Sequence, residues 1–130
     1  MRLNPDCIRD ILLSVEESTE INVLFEYNRD DRGGTRLGAY DHDAIRYHIR
    51  QCEMAGLITG YREFDAGSYI KIPDLTPAGH EFLANTRSPS LWESLRESCA
   101  QAGVDSLSAM LQGAAKLAAS ALLSRITFGS

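Results

Sequence analysis

Cysteine is scarce and poorly spaced for either bridging or metal binding. Cys7, Cys52 and Cys99 are odd in number and form no C-x-x-C pair, which argues against a disulfide framework or a zinc cluster and suits a reducing cytoplasm. Positive charge is also short: 13 Lys and Arg face 18 Asp and Glu, a formal charge of -5. Indiscriminate coating of nucleic acid needs a cationic excess, so any nucleic-acid face must be a local patch. No uncharged apolar run approaches the roughly 18 residues of a membrane span, because Asp105, Gln112, Lys116 and Arg125 interrupt the Ala- and Leu-rich C-terminal stretch. Residues 1–6 lack the apolar core expected of a signal peptide. Catalytic signatures are missing too. There is no G-x-S-x-G elbow, no glycine-rich phosphate loop, and no second histidine to complete a zinc-protease helix around His80-Glu81. His48 and Cys52 lie four apart but are too few to hold a metal, so a buried, hydrogen-bonded His48 is expected instead. The chain reads as a non-enzyme without metal or cofactor.

What is present is patterned sequence for one core and a small extension: 130 residues, 44% hydrophobic and 24% charged. Asn4 and Pro5 open a helix over 5–18, with Ile8, Ile11, Leu12 and Val15 as its apolar stripe. A strand is expected over 21–27, then a mobile polar loop from Asn28, with any second helix between Gly34 and Asp41 short or missing. Asp41 or Asp43 caps a helix over 43–55 that stops at Gly56. Helical spacing puts Ile45, His48, Ile49 and Cys52 on one side, and Asp43, Arg46, Tyr47, Arg50 and Met54 on the other. Residues 57–64 and 68–72 are expected to pair as a hairpin around Asp65-Ala66-Gly67. Thr76 and Pro77 start another helix, and Ser88-Pro89-Ser90 breaks it. A helix then runs from Leu91 to about Gln101, with its exit at Ala102-Gly103, and a last one covers about 106–126.

The outward side of helix 43–55 is the candidate contact surface. Arg46, Arg50 and Gln51 suit base edges in a major groove, while Tyr47, Arg36 and Arg62 suit phosphates. The competing reading is a solvated face on which Asp43 pairs with Tyr47 and Arg46 with Glu53. Asp41, Asp43, Glu53 and Glu63 dilute any cationic patch. On the last helix, Leu107, Leu111, Ala114, Ala118 and Leu122 form a stripe that either folds back or meets a second copy as a dimer.

Several segments together resemble a family of small bacterial and phage proteins known as domain of unknown function 2513. They are residues 7–17 (CIRDILLSVEE), Tyr47-His48-Ile49, Ala55-Gly56-Leu57-Ile58, residues 75–83 (LTPAGHEFL) and Leu91-Trp92, in matching order and spacing over roughly 5–95. The resemblance implies a winged-helix-like domain and supplies no activity or catalytic residues. Its Tyr-His and Gly-His pairs fall on Tyr47-His48 and Gly79-His80, where a structural role is expected.

The expected architecture is thus α+β: a winged helix-turn-helix over 1–87 with a short β-hairpin wing, then two additional C-terminal helices over 88–130. The expected function is a phage- or prophage-type cytoplasmic regulator of transcription that binds duplex DNA through helix 43–55. The alternative is a non-enzymatic adaptor that modulates a host protein, which the charge of -5 favours.

Overall fold

The computed structural model describes residues 1–102 and 106–128. It is a mixed α and β protein with five α-helices and antiparallel sheet. The chain divides into two compact units, Met1–His80 and Glu81–Ser130.

In the first unit, helix α1 (Pro5–Ser18) begins as the local sequence requires. Asn4 Oδ1 accepts from the Asp6 amide at 3.0 Å, and Pro5 occupies the first turn, where its missing N–H leaves no bond unmade. Its stripe of Cys7, Ile8, Ile11, Leu12 and Val15 is fully buried. Helix α2 (His42–Met54) packs against α1 with Ile45, His48, Ile49 and Cys52 inward, and Gly56, at φ +74°, ends it. The Asp41 side chain makes no capping hydrogen bond.

Strands β1 (Phe25–Asn28), β3 (Arg62–Phe64) and β4 (Tyr69–Ile72) form one sheet in the order β1-β4-β3. Phe25 faces Ile72 and Tyr27 faces Ile70 across β1 and β4, and all four side chains are buried. The expected long strand over 57–64 is instead two. Gly60, at φ +55°, turns the chain, so that β2 (Ile58–Thr59) pairs with β5 (Asp74–Leu75) while β3 pairs with β4. The expected strand over 21–27 starts only at Phe25. Residues 20–23 close a tight turn through reciprocal Glu20–Val23 backbone bonds of 2.9 and 3.1 Å. Nor is the polar loop featureless, because it contains short 3-10 turns at Arg29–Asp31 and Arg36–Ala39. Asn28 Oδ1 caps the first by accepting from the Asp30 amide, and Leu37 of the second is buried.

Helix α3 (Pro77–Asn85) starts at Thr76, whose Oγ1 accepts from the Gly79 amide at 3.1 Å. Gly79 lies so close to the Leu57 carbonyl that a methyl group there would overlap it. The division between units falls inside this helix. In the second unit, Pro89 opens α4 (Pro89–Ala102) rather than only breaking its predecessor, and α5 (Leu107–Phe128) packs along α4. Phe82 and Trp92 meet edge to face with centroids 6.4 Å apart. Gly103 lies outside the described residues. No helix among the described residues is long and apolar enough to cross a membrane.

One buried polar group ties α1 to α2. The Asn4 amide donates to His48 Nε2 at 2.8 Å, so the ring proton sits on Nδ1, which donates to the Ala44 carbonyl at 2.7 Å. Burial holds the His48 pKa below its ordinary value, and burial does the same to His42, whose Nδ1 meets the Tyr27 hydroxyl at 2.6 Å. The unfolded chain therefore binds these protons more readily than the native one. The stabilisation is fully present above the unfolded pKa of about 6.5 and is lost as pH falls through and below it. Urea unfolding should show stability dropping from about pH 7.5 to pH 5.5, by at most ~1.4 kcal/mol per pH unit for each histidine. His48→Gln should be less stable at the higher pH yet lose less on acidification, and a pH-independent wild type would contradict the assignment.

Candidate interaction site

Helix α2 and the β3–β4 hairpin bring the candidate residues together, but not as an open cationic face. Arg46 and Arg50 stand four residues apart on α2 and therefore on one side of the helix. Both reach Glu63 of β3. Arg46 holds it with two bonds, Nη2 to Oε2 at 2.9 Å and Nε to Oε1 at 3.3 Å, and Arg50 Nη2 reaches the same Oε2 at 3.3 Å. The Arg46 and Glu63 side chains are only 27% and 20% exposed, while that of Arg50 is 53% exposed. The guanidinium of Arg46, with a lesser contribution from Arg50, holds the Glu63 carboxyl below its ordinary pKa. The expected pairing of Arg46 with Glu53 is thus replaced by a cross-element bond.

The turn that carries Glu63 back into the sheet is built around this contact. Asp65, Ala66 and Gly67 take φ values of +53°, +56° and +90° in succession. Two of the three are not glycine, and such conformations cost about 1–3 kcal/mol each and persist only where the surroundings impose them. The Ser68 amide and hydroxyl both donate to the Asp65 carbonyl, closing the turn. Gly67 is buried beneath the Arg46 guanidinium, which a methyl group at that position would displace.

The remaining candidates are dispersed. Arg36 is held by Glu17 of α1, Nη2 to Oε1 at 2.5 Å and Nε to Oε2 at 3.2 Å, and it depresses that carboxyl's pKa. Tyr47 is half-buried with its ring edge-on to His48 at 5.2 Å, and Gln51 is half-buried. Arg62 is exposed, but side chains alternate along a strand, so it projects from the sheet face opposite to Glu63. That outer face carries Arg62 opposite Lys71 and Phe64 opposite Tyr69, with Lys71 Nζ 5.7 and 5.6 Å from the two ring centroids. Arg62 therefore does not extend the Arg46–Arg50 pair into one patch. No periodicity singles out Glu63 as the partner; the only hint was the alternation that places Arg62 outward and its neighbour inward.

Two cysteines are unsuited to nucleophilic work. Cys7 and Cys52 are fully buried, and desolvation pushes the Cys7 thiol up to about 12 and raises Cys52 as well, which leaves both protonated near neutral pH. On α5, Leu107 and Ala114 of the expected dimer stripe are buried, Leu111 and Ala118 half-buried, and Leu122 exposed. Leu123, outside that stripe, is also exposed.

Fold and site together define a small α+β protein whose helix–hairpin surface is closed by an internal ion-pair fork. The family model described as "Hypothetical protein (DUF2513)" matches residues 2–105, and the chain belongs to that family. It is similar to an "Uncharacterized protein" of Haemophilus influenzae (strain ATCC 51907 / DSM 11121 / KW20 / Rd), 31% identical over 115 residues that cover 86% of this chain and 91% of the relative. No solved structure matches.

The fork sets a measurable coupling. A double-mutant cycle of Arg46→Ala with Glu63→Ala should give an interaction of roughly 1 kcal/mol in unfolding free energy, from a bidentate, partly shielded pair. The Arg50–Glu63 cycle should give less, because Arg50 makes one bond from solvent. Equal coupling energies in the two cycles would count against the bidentate geometry.

Proposed function

We propose that this protein is a non-enzymatic interaction module whose N-terminal unit binds a basic surface of a partner protein, in the manner of an adaptor or modulator. One observation carries this reading: Arg36, Arg46 and Arg50, the cations suited to DNA, are already matched by carboxylates of the same unit. Charge supports it. Residues 1–80 hold nine Lys and Arg against fourteen Asp and Glu, so they carry the whole net charge of -5, while residues 81–130 balance at four of each. Such a field attracts cationic partners and repels phosphate backbones. On the exposed side of α2, Asp43 and Glu53 project beside the arginines, with Met54 75% exposed at its end. The element order supports a winged-helix scaffold: a helix, an edge strand, two short 3-10 turns, a second helix, then a hairpin whose return strand pairs with the edge strand.

Affinity purification of the tagged protein after nuclease treatment should recover one basic protein in stoichiometric amount. An Asp43→Lys/Glu53→Lys variant should lose it while keeping its helical circular dichroism. Nucleic acid recovered in place of a protein when the nuclease is omitted, or an unaltered partner with the variant, would reject the reading.

Duplex DNA is the second reading, favoured by the same element order and by the side-by-side placement of Arg46 and Arg50. Self-association belongs to the C-terminal unit. There Leu122 and Leu123 are 58% and 61% exposed, and Leu122 lines a groove of about 580 Å³ with Ala84, Leu91, Ala115, Ala118 and Ala121. Leu107 and Ala114 are consumed in the fold, so a homodimer would use the later turns of α5 rather than the whole expected stripe. In sedimentation analysis the wild type should dimerise and Leu122→Glu/Leu123→Glu should stay monomeric. A wild type that is monomeric at high concentration would remove the dimer.

A further inference from the structure

We propose that Arg46 and Arg50 form a latent phosphate site for duplex DNA and that Glu63 is its built-in competitor. The idea goes beyond the protein-binding reading, because it concerns what the same surface does once one carboxylate is displaced.

The geometry is that of an occupied anion receptor. Two guanidinium groups from successive turns of α2 converge on a single oxygen, Glu63 Oε2, at 2.9 and 3.3 Å. A phosphate oxygen presents the same acceptor to the same fork, and Arg is the side chain whose planar donors fit both groups. The occupant is delivered by a turn of unusual construction. Three successive residues, Asp65, Ala66 and Gly67, take left-handed backbone conformations, and only glycine leaves room for the Arg46 guanidinium to lie against the turn. Backbone strain concentrates where a side chain must be held in one place. Here it holds the hairpin, and with it Glu63, over α2.

Displacement is feasible because the fork is partly open. Arg50 is 53% exposed and makes its carboxylate contact through a single nitrogen. A duplex phosphate and Glu63 compete for the same donors, so the internal carboxylate lowers affinity for any backbone and raises the number of other contacts a duplex must supply. Loss of its charge removes the carboxylate that Arg46 and Arg50 share. The flanking Asp43 and Glu53 remain and oppose an approaching phosphate.

The test is fluorescence anisotropy with a labelled short duplex of random sequence at low salt. Wild type, Glu63→Gln, Glu63→Ala and Glu63→Gln/Arg46→Ala/Arg50→Ala would be compared after circular dichroism confirms their folding. Glu63→Gln should bind at least about tenfold tighter than wild type, with the gain erased by salt and absent from the triple variant. Folded Glu63 variants that bind the duplex as weakly as a barely binding wild type overturn the proposal and leave the protein-binding reading intact. A gain that survives loss of both arginines overturns it as well, since general charge then suffices. Tight duplex binding already present in wild type and unchanged in Glu63→Gln overturns the competitor role and the protein-binding reading together. Independently of any variant, the Arg46 and Arg50 Nε–H resonances of wild type must shift when excess duplex is added at low salt. Unmoved resonances refute the site.

Discussion

The Glu63 carboxylate, gripped by two arginines of the neighbouring helix, is the constraint on which the helix–hairpin surface depends. It joins α2, whose outer side carries polar side chains, to the β3–β4 hairpin. Its strength comes from partial burial. Coulombic attraction between fully hydrated side chains is largely screened, whereas Arg46 and Glu63 are shielded enough for a bidentate contact to hold one geometry. The same contact engages both arginines that stand together on α2.

The rest of the N-terminal unit keeps that contact in register. α1 and α2 bury one another's apolar stripes, and His48 fixes their relation by taking the Asn4 amide at one nitrogen and giving its proton to Ala44 at the other. Ile70 and Ile72 anchor β4 in the core, which fixes β3 beside it and hence the position of Glu63. The strained turn at Asp65–Gly67 is the least regular piece of this assembly, and it is the one in contact with Arg46. Hydrophobic packing thus sets the frame and charge pairing sets the surface, two influences that act over different ranges.

Local signals were the readable ones. The start of α1 at Asn4-Pro5, the end of α2 at Gly56 and the start of α3 at Thr76-Pro77 each involve residues within one helical turn, so the chemistry of capping announces them. The buried faces of α1 and α2 follow from helical period alone. The division of 57–64 into β2 and β3 was not readable, because Ile58 and Arg62 both suit a strand and only their different partners, Leu75 and Lys71, separate them. The polar run from Asn28 concealed two 3-10 turns for a related reason: its residues favour turns without saying how the turns connect.

Charge partners were the hardest to read. Among 13 basic and 18 acidic residues, nothing in the order of the chain matches Arg36 to Glu17 or Arg46 to Glu63, nineteen and seventeen positions apart. The sequence by itself determined the buried stripes of α1 and α2, where α1 and α3 begin and α2 ends, and that the chain carries an acidic excess, since each of these depends on neighbours or on simple sums. Only the tertiary structure decided whether the arginines of α2 stand free or paired. That outcome turns on which strands lie beside the helix, a matter of long-range packing on which local pattern is silent.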